Sequence, residues 1–277
     1  MRKDFTFVSI IVSTYNHPVW LEKVLWGFYA QSNKDFEIII ADDGSGLSTE
    51  EVIKKMRKVT KMTIQHVWQE DVGFQKSRIL NKAVIAANGN YLIFTDGDCI
   101  PRNDFVDVHL KHCSKGKFLS GGYYKLPLTT SKLITKEDIL SQRCFKIQWL
   151  YKNGVKESLK DLKIVSNGWL SKIMNKITPA SATWNGNNSS GWKEDIIKVN
   201  GFDNSFKYGG QDREMGQRLI NIGIKPVIIR FSTVSIHLDH SRGYADHAVI
   251  KKNRAYIKQV KEEKIKRVSN GISEILK

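Results

Sequence analysis

Cysteine is scarce in this chain: Cys99, Cys113 and Cys144 are the whole set. An odd number of thiols with no CxxC spacing argues against both a disulfide framework and a structural zinc site. Buried, small hydrophobic side chains are their expected role. Long apolar runs are also missing, and none approaches the roughly 20 residues needed to cross a bilayer. The start, Met1 to Phe7, is charged and carries no signal-peptide pattern, so a cytoplasmic protein is expected. Internal repeats and low-complexity linkers are absent. Acidic residues are in short supply, with 28 Asp and Glu against 44 Lys and Arg, a net charge of +16. Such an excess calls for a polyanionic partner: nucleic acid, an anionic membrane face or a phosphorylated substrate. A helix-turn-helix, zinc-finger or RNP-like pattern is lacking, so no nucleic-acid partner is expected. A nucleotidyltransferase would need a phosphate-cradling glycine loop near the first strand, and Thr14–Pro18 is not one.

What is present is enough for a large core: 277 residues, 41% of them hydrophobic. Phe7 to Thr14 is a nearly continuous β-branched, apolar run, the mark of a strand buried on both faces. A helix pattern follows from Val19 to Gln31, with Leu21, Val24, Leu25 and Phe28 on one side. Phe36 to Ala41 is a second buried strand. Ser48 and Glu51 have capping-box spacing for the next helix. Met62 to Val67 reads as a strand, Ser77 to Asn88 as a helix and Tyr91 to Phe94 as a fourth strand. This alternation predicts an α/β fold with a mostly parallel central sheet flanked by helices. In such sheets ligands bind beyond the C-terminal strand ends, where the polar clusters Thr14–Asn16, Asp42–Ser45 and Asp96–Asp98 fall. After about residue 120 the alternation stops. Ser131 to Ile177 reads as helices with loops, Thr183 to Ser190 as a Gly/Asn/Ser loop, and Lys225 to Ile236 as one or two strands. A helix opens at Gly209-Gly210-Gln211-Asp212, and a basic helical tail begins near Ile250. The organisation expected is a domain over 1–244, split at about residue 120 into halves of 1–120 and 121–244, which the family resemblance given below implies bind nucleotide and acceptor, followed by the tail (245–277).

Four constellations can carry chemistry. Asp96-Gly97-Asp98 puts two carboxylates on one turn after a buried strand, where both can face Mg²⁺ or Mn²⁺. A metal there would offset charge on a leaving diphosphate; a plain turn is the other reading. A carboxylate of Asp42-Asp43 can accept hydrogen bonds from a base or ribose, or simply cap the following helix. Asp212 can act as a general base toward an acceptor hydroxyl, although its position alone favours a charge placed at a helix N-terminus. His237 and His240 can ligate a metal, while core or solvated histidines are the commoner outcome.

In this order, the motifs resemble family 2 glycosyltransferases of the GT-A fold over roughly residues 7 to 240. Val8 to Asn16 is similar to the family's first strand and nucleotide-contacting turn, which implies donor contacts from Thr14, Tyr15 and Asn16. Asp42-Asp43-Gly44-Ser45 resembles its second nucleotide motif. Asp71-Val72-Gly73-Phe74, with Arg78 and Asn81 after it, resembles the segment under the uracil and diphosphate. Asp96-Gly97-Asp98 matches the DxD metal motif. The later half is similar to bacterial chondroitin-type polymerases and β-1,4-galactosyltransferases. Asn187 to Phe202 looks like their Asn-rich loop leading to a Gly-Phe-Asp turn, here Gly201-Phe202-Asp203. Tyr208-Gly209-Gly210-Gln211-Asp212 looks like their Trp-Gly-Gly-Glu-Asp motif, with Tyr208 in place of Trp and Gln211 in place of Glu.

The resemblance implies an inverting transferase using a UDP-sugar, with galactose or N-acetylgalactosamine favoured, and Mn²⁺ or Mg²⁺. The acceptor would be a glycan or lipid-linked hydroxyl in cell-surface polysaccharide or lipopolysaccharide synthesis. Asp212 is then the base, and Asn187, Gly210 and Gln211 face the acceptor. Asp96 and Asp98 hold the metal with a histidine, His237 by its distance from Asp212 or His240 by a local His-Ser-Arg pattern. Asp42 and Arg78 hold the nucleotide. The basic tail, with Lys251, Lys252, Arg254 and Lys258 and an apolar contribution from Ile250, Ile257 and Val268, suggests a peripheral contact with an anionic inner membrane face. A solvated packing helix fits the same pattern. The rival readings are a nucleotidyltransferase and a non-catalytic basic protein that binds nucleic acid or membrane.

Overall fold

The computed structural model describes residues 7–240 and 246–277. In chain order the strands are β1 (Val8–Thr14), β2 (Phe36–Asp42), β3 (Ile64–Trp68), β4 (Tyr91–Asp96), β5 (Cys99–Pro101), β6 (Lys117–Ser120), β7 (Gly122–Lys125), β8 (Ser189–Trp192), β9 (Lys225–Ile228) and β10 (Val234–His237). The α-helices are α1 (Pro18–Tyr29), α2 (Leu47–Thr60), α3 (Lys76–Ala86), α4 (Phe105–His112), α5 (Leu128–Leu133), α6 (Lys136–Leu140), α7 (Ile147–Lys152), α8 (Leu162–Val165), α9 (Gly168–Ile177), α10 (Lys193–Lys198), α11 (Gln211–Asn221), α12 (His247–Glu262) and α13 (Ile272–Ile275).

Seven strands form the central sheet in the order β3-β2-β1-β4-β8-β6-β9, and β5-β10-β7 form a smaller second sheet. β1 pairs in parallel with both β2 and β4. Its Val8, Ile10 and Val12 pack into one cluster with Leu21, Val24, Leu25 and Phe28 of α1. Ile11 joins a second cluster with Ile39, Leu80, Val84 and Phe94 on the opposite face. Both faces are covered, as the continuous apolar runs require. The chain builds outward from β1 through β2 to β3 and then returns to set β4 on β1's other side. That reversal opens a crevice at the C-terminal ends of β1 and β4. The register sets Ser13 opposite Asp96 and Thr14 opposite Asp42. In the second sheet, antiparallel pairing sets His237 opposite Cys99, next to Asp98.

Two local expectations change. Helix α2 starts at Leu47 with Gly46 at its N-cap and no side-chain cap, so Ser48 lies inside the first turn. The 183–190 stretch, read as a loop, ends in β8, and α10 follows it. β8 carries only Ser189, Ser190, Gly191 and Trp192, so it shows no hydrophobic alternation. Buried polar contacts hold it: Ser190 Oγ bonds Tyr91 Oη and His109 Nδ1, both at 2.7 Å. Burial keeps His109 neutral, its pKa lowered to about 3. Cys99 and Cys144 are buried and unpaired, and Cys113 is half-buried.

The tail packs back on the protein. Val260 and Val268 are buried, and Ile250 and Ile257 lie over Gly209 and Gly210. The apolar residues expected to contribute a membrane face are therefore engaged within the fold. The boundary at 244/245, and Ser241-Arg242 of the His-Ser-Arg pattern, lie outside the described residues. Among the described residues, no helix is long and apolar enough to cross a membrane.

Helix α11 is anchored by a fully buried ion pair. Arg218 donates to both carboxylate oxygens of Glu214, at 2.6 and 2.7 Å. It also donates to the carbonyls of Val199 and Gly201. Removing one partner strands a buried charge, a loss of about 3–5 kcal/mol. Arg218→Leu is expected to lower unfolding stability by that amount, measured as a shift in urea midpoint at unchanged slope.

Candidate active site

The crevice at the ends of β1 and β4 is a cleft of about 580 Å³, a size that accommodates a small organic ligand. Thr14, Tyr15, Asp43, Gly73, Phe74, Asp96, Gly97, Asp98, Asn187, Gly210, Gln211, Asp212, His237 and His240 all line it. Three residues expected there do not. Asp42 is buried beneath, accepting from Ser45 N at 2.8 Å and meeting His66 Nε2 at 2.9 Å, so it closes the turn. Asn16 joins the β1 and β2 loops: its N–H donates to Ser45 Oγ and its side chain accepts from Gly46 N. Arg78 is exposed on α3. Two residues along a helix turn a side chain by roughly 200°, so with Lys76 facing the cleft Arg78 faces away. Asn81, from the same segment, is buried and exchanges hydrogen bonds with the backbone of Phe202.

Lys76 is the residue that sequence reasoning missed. Its Nζ donates to Asp96 Oδ1 at 2.7 Å, and Ser13 Oγ donates to the same oxygen at 2.7 Å. Burial works against the ammonium, but the carboxylates of Asp96 and Asp212 raise its pKa above the ordinary lysine value. Asp96 therefore sits in a neutralised pair.

Asp98 faces histidines. His240 Nε2 lies 3.0 Å from Asp98 Oδ2 and His237 Nε2 lies 3.8 Å from it. Burial opposes the Asp98 charge, but the hydrogen bond from His240 and the field of His237 overcome that and hold its carboxyl below the usual range. His237 Nδ1 is 2.9 Å from the Leu238 carbonyl. A carbonyl can only accept, so His237 Nδ1 carries a proton, and Nε2 is the nitrogen turned toward Asp98. One carboxylate with two imidazoles is a donor set that suits a divalent transition metal. Asp98, Cys99 and His237 also bring one ligand atom each within 4.8 Å of one another. The Cys99 thiol donates to Asp98 Oδ1 at 3.3 Å, and burial pushes its pKa well up, so it stays protonated.

Asp212 stands at the start of α11. Gly209 and Gly210, at φ +99° and +103°, turn the chain into the helix in a conformation that side-chain-bearing residues rarely adopt. Burial raises the Asp212 pKa to about 6, against the opposing field of Lys76 and a hydrogen bond from Gly186 N. Its Oδ1 is buried with no hydrogen-bond partner, as are Gln211 Oε1 and Asn187 Oδ1. Three unsatisfied acceptors in one cleft are the signature of a site awaiting hydroxyl or amide donors. A methyl at Gly186 would come within 2.8 Å of Asp212 Oδ2, so only glycine allows the loop this close. Phe74 and Tyr208 meet edge-on at 5.7 Å on the cleft wall.

A family model described as glycosyl transferase family 2 matches residues 9–155, just over half of the chain. The chain belongs to that family. A second, described as the N-terminal domain of galactosyltransferase, matches residues 173–241. Among relatives, it is 25% identical over 254 residues to validoxylamine A glucosyltransferase of Streptomyces hygroscopicus subsp. jinggangensis, covering 85% of this chain and 56% of that one. It is 26% identical over 231 residues to chondroitin synthase of Escherichia coli, covering 78% of this chain and 32% of that one. The chain thus spans about half, or less, of the length of these relatives. Solved structures agree on the fold. A mannosyltransferase from Pyrobaculum calidifontis in complex with GDP-Man and Mn²⁺ superposes with TM-score 0.60 at 15% identity, over 95% of this chain and 73% of that one. TarS 1-349 of S. aureus in complex with UDP-GlcNAc gives 0.62 at 12% identity, over 93% and 69%. The GT-A fold expected from the motifs is the one found, and the nucleotidyltransferase reading gives way.

Because the Lys76 charge opposes the upward shift at Asp212, Lys76→Met is expected to move the Asp212 pKa above about 6. Carboxyl ¹³C chemical shifts followed against pH in wild type and variant would check this.

Proposed function

We propose that the protein is an inverting, metal-dependent transferase moving galactose or N-acetylgalactosamine from a UDP-sugar to a hydroxyl of a glycan or lipid-linked acceptor in cell-surface polysaccharide or lipopolysaccharide synthesis. The observation that carries this reading is Asp212: a half-buried carboxylate with a pKa near 6 and one buried, unpartnered oxygen, in the same cleft as the Asp98–His237–His240 cluster. The family match supports transfer of a sugar. The UDP-GlcNAc in TarS and the Mn²⁺ in the mannosyltransferase support a nucleotide-sugar donor and a metal. The second family match and the chondroitin synthase likeness favour galactose-type sugars.

In this mechanism the acceptor hydroxyl is fixed by Gln211 Oε1 and Asn187. Asp212 takes its proton as the oxygen attacks the anomeric carbon, while the bond from that carbon to UDP breaks. The sugar passes through an oxocarbenium-like state. Asp98, His237 and His240 would hold the metal with Asp96 beside them, and two imidazoles favour Mn²⁺ over Mg²⁺. That metal would supply positive charge opposite the leaving diphosphate. Lys76 adds a second fixed charge near it. Asp43, held by Gln69 Nε2 and Gln75 N at 2.6 and 2.9 Å, replaces Asp42 as the carboxylate facing the nucleoside, with Thr14, Tyr15, Gly73 and Phe74 around it. Residues 1–120 serve the donor, joined by His237 and His240 at the metal, and the rest of 121–244 serves the acceptor. The excess positive charge serves peripheral contact with an anionic membrane face on the cytoplasmic side.

Asp212→Asn is expected to leave donor binding intact and cut turnover by roughly 10²–10⁴-fold. The base works only when deprotonated, so wild-type kcat/KM is expected to be flat above the Asp212 pKa and to fall tenfold per pH unit below about 6. A profile with no acid limb in that range would remove Asp212 from the role.

Calorimetric titration with UDP, with and without Mn²⁺, tests the donor site. Metal-dependent binding is expected in wild type and its loss in Asp98→Ala. Equal affinity in both proteins would count against the cluster as ligand.

A further inference from the structure

Helix α9 presents an apolar stripe that the rest of the described fold leaves uncovered. Trp169, Ile173 and Ile177 recur at four-residue spacing, and they are 72%, 44% and 65% exposed. Lys172 and Lys176 interleave with them on the same exposed face. The opposite face carries Leu170, Ser171, Met174 and Asn175, all buried or half-buried. Just before the helix, Leu159 and Val165 are also exposed, Leu159 at 88%. Solitary exposed apolar residues are ordinary, but a contiguous group in helical phase marks an interaction surface.

The charge around the stripe identifies its partner. Residues 156–177 contain five lysines: Lys156, Lys160, Lys163, Lys172 and Lys176. Of the two acids in that range, Asp161 is buried and accepts from Tyr124 and Tyr151, so Glu157 is the sole exposed negative group. A Trp with aliphatic neighbours, bordered by lysines, has the chemistry of a helix lying in the headgroup region of an anionic bilayer. We propose that α9 and the segment leading into it, residues 159–177, dock this protein on an anionic lipid surface. The tail helix α12 offers lysines but turns its apolar residues inward, so it lacks the half of the interaction that inserts.

The stripe is rigidly placed beside the cleft. Asn175 donates to Ser232 Oγ and accepts from Phe231 N, at 2.8 and 2.9 Å, pinning α9 to the turn before β10. Lys163 Nζ reaches the carbonyl of Tyr123 at 3.1 Å, and Tyr123 lines the cleft. A bilayer under α9 would therefore lie next to the opening. The value of that arrangement rests on the lipid-linked acceptor reading above, although the surface itself does not.

Vesicle flotation tests it, using phosphatidylcholine alone or mixed with phosphatidylglycerol. Wild type is expected to float with the mixed vesicles and not with the neutral ones. Trp169→Ser/Ile173→Ser/Ile177→Ser and Lys172→Glu/Lys176→Glu are each expected to weaken partitioning by roughly tenfold or more. Lys251→Glu/Lys252→Glu/Lys258→Glu is expected to weaken it less. UDP titration of every variant checks that the donor cleft is intact. Flotation lost only in the tail variant, or absent in wild type, overturns the proposal. So does a wild-type dimer that the α9 triple variant splits, with no lipid binding. Wild type that floats but does not bind UDP would sink the donor reading and leave the surface standing.

Discussion

The parallel pairing of β1 with β4 is the constraint on which the site depends. It sets Ser13 beside Asp96, and Ser13 and Lys76 then share one Asp96 oxygen. With that charge neutralised, the two carboxylates of the Asp-Gly-Asp turn stop being equivalent. Asp96 is tied into the sheet's own charge balance, while Asp98 is directed to the histidines of the second sheet. Lys76 also bears on Asp212, so one ammonium couples the carboxylates at the ends of β4 and α11 electrostatically. Moving β4 by one residue would turn Asp96 to the opposite face and break this arrangement.

Much of this was legible because the first half is written in buried strands. Continuous apolar runs at 7–14, 36–41 and 91–94 could only be central strands, and polar clusters after them could only be at a sheet's C-terminal edge. The cleft takes Thr14, Tyr15, Asp43, Asp96, Gly97 and Asp98 from those clusters. Asp42 and Asp43 could not be separated by pattern, since which of two neighbours points outward depends on the local turn, here closed by Ser45 on Asp42. Lys76 carried no signal at all in a chain with 44 basic residues. Only its phase on α3 relative to Asp96 distinguishes it. β8 escaped notice because its stability comes from hydrogen bonds of Ser190 to Tyr91 and His109, contacts far apart in sequence that leave no periodic trace.

The departures from the related motif are accommodated by the same cleft. Tyr208 keeps an aromatic wall with Phe74, and Gln211 keeps a buried acceptor oxygen without a second negative charge beside Asp212. A glutamate there would raise the Asp212 pKa further by like-charge repulsion. The neutral amide thus leaves the affinity of Asp212 for protons to burial, Lys76, Asp96 and Gly186.

Asn253 Nδ2 donates to the carbonyls of Tyr208 and Gly209, at 3.2 and 2.7 Å, while Ile250 and Ile257 cover the two glycines that start α11. The turn that delivers Asp212 is therefore clasped by residues synthesised some 40 positions later. That clasp can form only once α12 has left the ribosome, so the turn carrying Asp212 gains its support after every residue lining the cleft has been made.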